Sequence, residues 1–332
     1  MKISIISPVY ENKRSLDKFL QSVEAAINSL SAEREVLIVD DGSSSDMRVV
    51  TDKYTFVKYV KLPQNAGPAI ARNTGAEAAG GDYLIFFDSD VMLKKDTLKL
   101  FESSFKSGED IVVGEYDKEP IEKGFFPRFK AIMTKSWTPK TKYVSVFALR
   151  AAGIKKSIFN DIGGFDQKIK SASVEDFEFG DRLLGKGYKI AYNPDILVYH
   201  HHPSFKKQFK LFYERSRDLT KLLIERRFKP YDWCASPAEG VSSIFGTLFV
   251  MFFLLALVFR NTLLVTLCAL SFLGFVVANA GFLKAAISER KIFFLPMAIL
   301  VKMALCLPIT AGFVAGYFLF IKTKLIGRNQ HA

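Results

Sequence analysis

A chain of 332 residues with 46 Lys and Arg against 34 Asp and Glu carries a formal net charge of +12, which calls for an anionic partner: nucleic acid, a membrane or an anionic substrate. No nucleic-acid recognition motif accompanies the charge, so nucleic acid is set aside. The three cysteines, Cys234, Cys268 and Cys306, stand far apart and two lie in apolar runs, which argues against a metal knuckle or a disulfide framework.

In chain order, MKISIISPVY is too short an apolar stretch for a signal peptide and reads as a first strand, so the first domain is expected to stay in the cytoplasm. Ser15 to Leu30 repeats apolar residues at helical spacing. EVLIVDD and FVKYVKL are a second and a third strand, and the Ala-rich AIARNTGAEAA is a helix ended by Gly80–Gly81. DYLIFFDSD is a fourth strand, almost continuously apolar and therefore central. This alternation predicts an α/β fold with a doubly wound, mostly parallel sheet, in which ligands bind at the carboxyl ends of the strands. Asp40, Asp41, Asp88 and Asp90 all fall at such ends. Lys94 to Leu149 gives few sharp signals. YVSVFALRAAGIKKSIFNDIGGFD reads as a strand, a short helix and a Gly-Gly turn, Ser173 to Lys186 as a helix with an acidic start, and YKIAYNPDILVYH as a final strand pair.

Composition divides the chain after Ser236. Residues 1–236 mix charged and apolar residues as a soluble domain does; within 237–332, charges almost vanish from Val241 to Ile321 apart from Arg260, the Lys284–Lys291 stretch and Lys302. Crossing a membrane takes about 20 helical residues. Ser243–Phe259 and Leu263–Phe282 suit a helical hairpin turning at Arg260–Asn261. Ile292–Ile321 is either a surface helix followed by a span or one long kinked span, which gives two to four hydrophobic helices in all. Three spans would leave the basic KTKLIGRNQHA tail on the far side, against the positive-inside tendency. Just before the apolar region, Lys206, Lys207, Lys210, Arg215, Arg217, Lys221, Arg226, Arg227 and Lys229 outnumber Glu214, Asp218 and Glu225. Such a basic segment marks the cytoplasmic side and meets anionic lipid headgroups, or is simply a solvated helix face.

Three acidic clusters carry the chemistry. Asp40–Asp41, ending a strand, can accept hydrogen bonds from a nucleobase or ribose, although DDGS is also an ordinary turn followed by a helix cap. Asp88–Ser89–Asp90 is an acidic pair in a loop mouth; unpaired buried carboxylates are costly, so such a pair binds a cation or faces water. Carboxylates that share a hard ion with a diphosphate suit Mg²⁺ or Mn²⁺. Arg72 and Asn73, on the helix between these sites, either steady a nucleotide or cap the fold. Glu175–Asp176 opens a helix, where carboxylates serve the helix dipole or take a proton from an attacking hydroxyl; Asp176 is the first choice of base and Glu175 the second. Among His200, His201 and His202, one imidazole, taken as His200, can complete a metal site or merely cap a helix.

The ordered set SPVYEN, VDDGSSSD, NAGPAIARNTGA, FFDSD, GGFD and EDFEFGDRLLGKGY, from about Lys2 to Pro203, resembles the family 2 inverting glycosyltransferases with the A-type glycosyltransferase fold. The resemblance implies that Pro8, Tyr10 and Glu11 line the nucleotide pocket and that Asp41, or Asp40, contacts a uridine-type base. It further implies that Asp88 and Asp90 bind metal and diphosphate, and that Asp176 is the base of one in-line displacement without a covalent intermediate. Glu11–Asn12 departs from the Asn-then-Glu order of many members. The Gln-x-x-Arg-Trp motif of processive synthases does not occur, which argues against polymer extrusion.

The expected protein is therefore a multi-pass enzyme of the inner or plasma membrane, with residues 1–236 as its cytoplasmic domain. It would move one sugar from a nucleotide-sugar, UDP-linked by resemblance, to a lipid-linked or envelope glycan acceptor. A polyprenyl-phosphate glycosyltransferase is the second reading, although such synthases usually lack the GGFD…ED segment. A sugar nucleotidyltransferase is the third, and the absence of a Gly-rich nucleotidyl loop near the N-terminus counts against it. A membrane scaffold with a dead transferase domain would require lost carboxylates, and all three clusters remain.

Overall fold

The computed structural model describes residues 1–170, 173–202, 204–225, 231, 233, 236–289 and 292–329. Arg226, Arg227 and Lys229 of the basic segment, Cys234, Pro203 and the last three residues of the tail lie outside the described residues. The chain forms two compact units. One comprises Met1–Glu122 and Thr138–His201; the other comprises Lys123–Trp137 and His202–Ala332.

The first unit is built on β1 (Lys2–Val9), α1 (Lys13–Ile27), β2 (Glu33–Asp40), α2 (Arg48–Thr51), β3 (Val57–Lys61), α3 (Pro68–Ala78), β4 (Tyr83–Phe86), β5 (Val91–Leu93), α4 (Thr97–Lys106) and β6 (Ile111–Tyr116). After α5 (Phe125–Ser136), which belongs to the second unit, come β7 (Tyr143–Val144), β8 (Ala152–Lys155), α6 (Lys156–Ile162), α7 (Glu175–Gly185) and β9 (Ile190–His200). The nine strands form one sheet in the order β3-β2-β1-β4-β8-β6-β9-β5, with β7 also paired to β9. The β3-β2-β1-β4 half is parallel. Beyond it the sheet is mixed: β8 runs antiparallel to both β4 and β6, and β9 is parallel to β6 but antiparallel to β5 and β7.

Local sequence explains the elements nearest the site. Asn12 caps α1 by accepting from Ser15 N at 3.1 Å, and Leu16, Phe19, Leu20, Val23 and Ile27 fill its buried face at helical spacing. In α3 the small residues serve close approach: a Cβ on Gly75 would lie 2.5 Å from the Ile6 side chain of the sheet. YKIAYNPDILVYH forms one strand, β9, rather than the expected pair. Its register against β6 slips between Val113 and Glu115, so a bulge takes up Pro194, whose missing N–H would break a regular ladder.

The second unit is helical: α5, α8 (Phe205–Glu225), α9 (Pro237–Phe259), α10 (Thr262–Ala278), α11 (Ala280–Ile287) and α12 (Phe294–Asn329). The hairpin between α9 and α10 turns where expected, with Arg260 at φ 46° and Asn261 capping α10 through Leu263 N at 2.8 Å. The Leu263–Phe282 segment breaks at Asn279, where α10 and α11 bend by 74°. Ile292–Ile321 becomes, from Phe294, one helix with Pro308 inside it. Among the described residues, α9 and Phe294–Lys322 of α12 are long and apolar enough to cross a membrane; counting the bent pair as one span makes three.

Candidate active site

Because β1, β2 and β4 are parallel, their carboxyl ends share one edge, which gathers the first two acidic segments. Glu11 holds a left-handed backbone, φ 52°, which is costly for a residue with a Cβ. Its N–H donates to Ser43 Oγ at 2.9 Å, and its carboxylate accepts from Ser44 N at 2.5 Å and Ser45 Oγ at 2.8 Å. The hydrogen bonds from Ser44 and then Ser45 hold the Glu11 carboxyl down at about 2. SPVYEN is thereby laced to the loop after β2, with Tyr10 exposed beside it and Pro8 half-buried. The Glu11–Asn12 order has a structural account: Asn12 is taken by the cap of α1.

Asp40 and Asp41 face different partners. Asp40 is fully buried, accepting from Ser43 N at 2.9 Å and from the Tyr59 hydroxyl at 2.5 Å. Asp41 accepts from Ala66 N at 2.8 Å and Gly67 N at 3.0 Å, bracing the turn into α3, while burial pushes its carboxyl up. Gly67 is required there: its φ is +95°, and a Cβ would meet the Lys170 carbonyl at 2.4 Å.

Arg72 joins the second cluster to the third. From α3 it donates to Asp88 Oδ1 at 2.6 Å and to Glu175 Oε1 at 3.1 Å, and it is only 3% exposed. Burial, with Asp90 nearby, pushes the Asp88 carboxyl up against the pull of Arg72. Burial also acts on Asp90, but His200 and His201 hold it below the usual range. The β5–β9 pairing places Val91 opposite His200 and thus sets His200 Nε2 at 3.6 Å from Asp90 Oδ2. His201 donates its N–H to the Asp90 carbonyl at 3.1 Å, and its ring pairs with Glu122. His202 begins the next stretch of the second unit.

In the first turn of α7 the two carboxylates differ. Glu175 is buried between Arg72 and the Ser173 N–H, which it accepts at 2.8 Å. Asp176 is half-buried; its carbonyl accepts from Phe147 N, and one carboxylate oxygen accepts from Phe177 N at 3.0 Å. Asn73 exchanges two hydrogen bonds with the Phe165 backbone, each 2.9 Å, and so secures the GGFD turn. Behind the site, Phe86, Phe147, Phe159, Phe165 and Phe179 form a ring cluster with centroids 4.6 to 6.4 Å apart. Sequence reasoning missed Glu115 and Tyr116 at the end of β6 and Arg150 just before β8; a lone Glu in the apolar IVVGEY strand was their signal.

Residues 4–165 match the family model described as glycosyl transferase family 2, and the chain carries a domain of that family. It is 27% identical over 211 residues to the pre-mycofactocin glycosyltransferase of Mycobacterium tuberculosis, covering 60% of this chain and 43% of that protein. It is 30% identical over 201 residues to the poly(ribitol-phosphate) beta-N-acetylglucosaminyltransferase TarP of Staphylococcus aureus, covering 57% of this chain and 60% of TarP. The chain thus spans about half the length of the curated relatives it matches. Among solved structures it is similar to the mannosyltransferase PcManGT of Pyrobaculum calidifontis, in complex with GDP-Man and Mn²⁺. There the TM-score is 0.54 at 16% identity, over 96% of this chain and 86% of that one, a likeness of fold, the A-type glycosyltransferase fold.

Proposed function

We propose that this chain is an inverting glycosyltransferase that moves one sugar from a nucleotide-sugar to a membrane-associated acceptor in cell-surface glycan or glycolipid synthesis. Residues 1–236 work on the cytoplasmic face, and 237–332 anchor them in the inner or plasma membrane through the apolar helices. The observation that carries the reading is the convergence of Asp88 and Glu175 on Arg72, with Asp90 facing His200 and Asp176 next to Glu175 in the first turn of α7.

In this reading Pro8, Tyr10, Glu11 and the Asp40–Asp41 loop frame the nucleotide. Asp176, half-buried in the first turn of α7, takes the proton from the acceptor hydroxyl as it attacks the anomeric carbon. Arg72 holds the diphosphate side and the base helix in one frame. Among the described residues no three His, Cys, Asp or Glu side chains form a ready cage for a metal. Mg²⁺ and Mn²⁺ need none, since they bind through one or two carboxylates together with substrate phosphates. Asp90 and His200, with Asp88 beside them, fit that donor set, and the Mn²⁺ held by PcManGT supports it. When bound, the cation neutralises charge developing on the leaving diphosphate.

The test is a screen of the purified full chain against UDP- and GDP-sugars with Mg²⁺ or Mn²⁺, reading donor hydrolysis and transfer. Asp90→Ala is expected to remove the chelator-sensitive part of donor binding. Asp176→Asn is expected to cut transfer by about 10²–10⁴-fold while donor binding stays nearly intact. Retained turnover in Asp176→Asn removes it as the base, and an unchanged chelator response removes the metal site.

A further inference from the structure

Beside the proposed metal site, three side chains that none of the expected roles uses, Glu115, Tyr116 and Arg150, continue from His200 in one chain of contacts. Tyr116 ends β6, and its ring centroid lies 4.4 Å from that of His200 with the planes 32° apart. The Arg150 guanidinium carbon lies 4.7 Å from the same tyrosine centroid. Arg150 is itself held by a 2.5 Å hydrogen bond from Nη1 to Glu115 Oε1, an oxygen that also accepts from Tyr116 N at 2.8 Å. Glu115 is fully buried, and Arg150 is only 10% exposed at its side chain. One carboxylate therefore fixes both the tyrosine's backbone and the guanidinium stacked on its ring. The far end of the stack is the imidazole, whose Nε2 stands 3.6 Å from Asp90 Oδ2.

A buried ion pair is weak evidence for stability, because desolvating two charges offsets most of their attraction. What this pair does is geometric. Two strands present Tyr116 and His200 side by side, and a flat surface against the imidazole restricts its χ rotations. Tyr116 supplies that surface; Arg150, pinned by Glu115, supports the tyrosine through a cation–π contact. An imidazole held in this plane keeps its Nε2 directed at Asp90 before any ligand arrives.

We propose that Tyr116 and Arg150, anchored by Glu115, are positioning residues that pre-set His200 against Asp90 for the divalent cation and its nucleotide diphosphate. The inference rests on the metal reading given above. Outer groups that orient a ligating histidine change metal affinity by about 10–100-fold when removed, with no direct contact to the ion. A role confined to folding would instead lower stability and leave the affinity of the folded protein unchanged.

The test is Mn²⁺ titration of the full chain in detergent, with UDP and GDP in parallel, following the spectrum of free Mn²⁺ by electron paramagnetic resonance. Nucleotide binding without metal is measured on the same samples. Tyr116→Leu is expected to weaken Mn²⁺ binding by about 10–100-fold, and Tyr116→Phe, which keeps the ring, by no more than about threefold. Metal-free nucleotide binding stays the same in both. Should Tyr116→Leu not fold, Arg150→Lys, which keeps the charge at Glu115 but loses the flat guanidinium, is expected to show the same weakening to a smaller degree. Wild-type Mn²⁺ affinity in Tyr116→Leu, or in Arg150→Lys where it stands in, with loss in His200→Ala overturns the positioning role alone. Wild-type affinity in His200→Ala, or no Mn²⁺ binding to the unmodified chain with either nucleotide, overturns the metal reading and the inference together.

Discussion

Arg72 places two carboxylates on one guanidinium, Asp88 and the first of the acidic pair at the start of α7. Glu175 accepts from Arg72 and from the Ser173 N–H, and Asp176 accepts from the Phe177 N–H. The sequence puts Asp176 first as base and Glu175 second, although adjacent residues in a first helical turn look alike there. These partners differ, and in the proposed reading Asp176 is the base. Glu175→Gln keeps its size and one acceptor and loses a charge-assisted bond of about 1.5–3 kcal/mol. It is therefore expected to lower kcat by about 10–100-fold, less than Asp176→Asn, and steady-state kinetics of the two variants checks the order. Arg72→Lys is expected to resemble Glu175→Gln or be worse, since an ammonium cannot hold two carboxylates in the fixed fork that Nη1 and Nη2 provide. The reverse ranking would make Glu175 the base. Other placements were beyond sequence reading for a plain reason. Asp90 meets His200 only because the three-residue strand β5 pairs with the end of β9.

At the scale of elements, periodic or uniformly apolar segments were legible and short or irregular ones were not. The helix over Ser15 to Leu30, the parallel strands and the turn at Arg260–Asn261 follow directly from apolar spacing and caps. Between Lys94 and Leu149 the sequence looked irregular, yet it holds α4, β6, α5 and β7. Within that stretch α5 has a helical apolar face, Phe125, Phe129, Ile132 and Met133, but it packs among the helices of the second unit, so no neighbouring strand marks it. Helix α4 is secured by Glu102, whose carboxylate accepts from Ser31 N at 3.0 Å, from the Ser31 hydroxyl and from Lys106 Nζ at 2.7 Å. Burial works to raise this carboxyl, but Lys106 and Ser31 prevail and hold it at about 2 against an ordinary 4.5. A carboxyl lowered on folding stabilises fully above its unfolded value and loses that contribution as pH falls through its folded one. Glu102 is expected to add about 2–3 kcal/mol that fades between about pH 4.5 and 2. Glu102→Gln should flatten that part of the stability–pH curve measured by chemical denaturation; an unchanged slope would show the ties to be too weak to matter.

At the scale of the whole molecule, the helical unit resolves what looked like a conflict in the sequence, a lysine in the middle of the longest apolar run. A lone charge among apolar helices is expensive, so it needs a partner or a water-filled cavity. Lys302 on α12 is 2% exposed and pairs with Glu239 near the start of α9, and the second oxygen of Glu239 accepts from Trp137 Nε1 at 2.9 Å. Since Trp137 closes α5, one ion pair links three helices that are distant in sequence. Removing one partner of a buried pair strands the other charge, at a cost of about 3–5 kcal/mol, whereas replacing both by neutral groups is often near neutral. Lys302→Met is accordingly expected to lower the thermal unfolding midpoint of the full chain in detergent. Adding Glu239→Gln, which keeps an acceptor for Trp137, should restore most of the loss. If the double variant is as unstable as Lys302→Met, the charge left on Glu239 is not the source of the instability, and the contacts of the ammonium with the rings of Trp137 and Phe282 are.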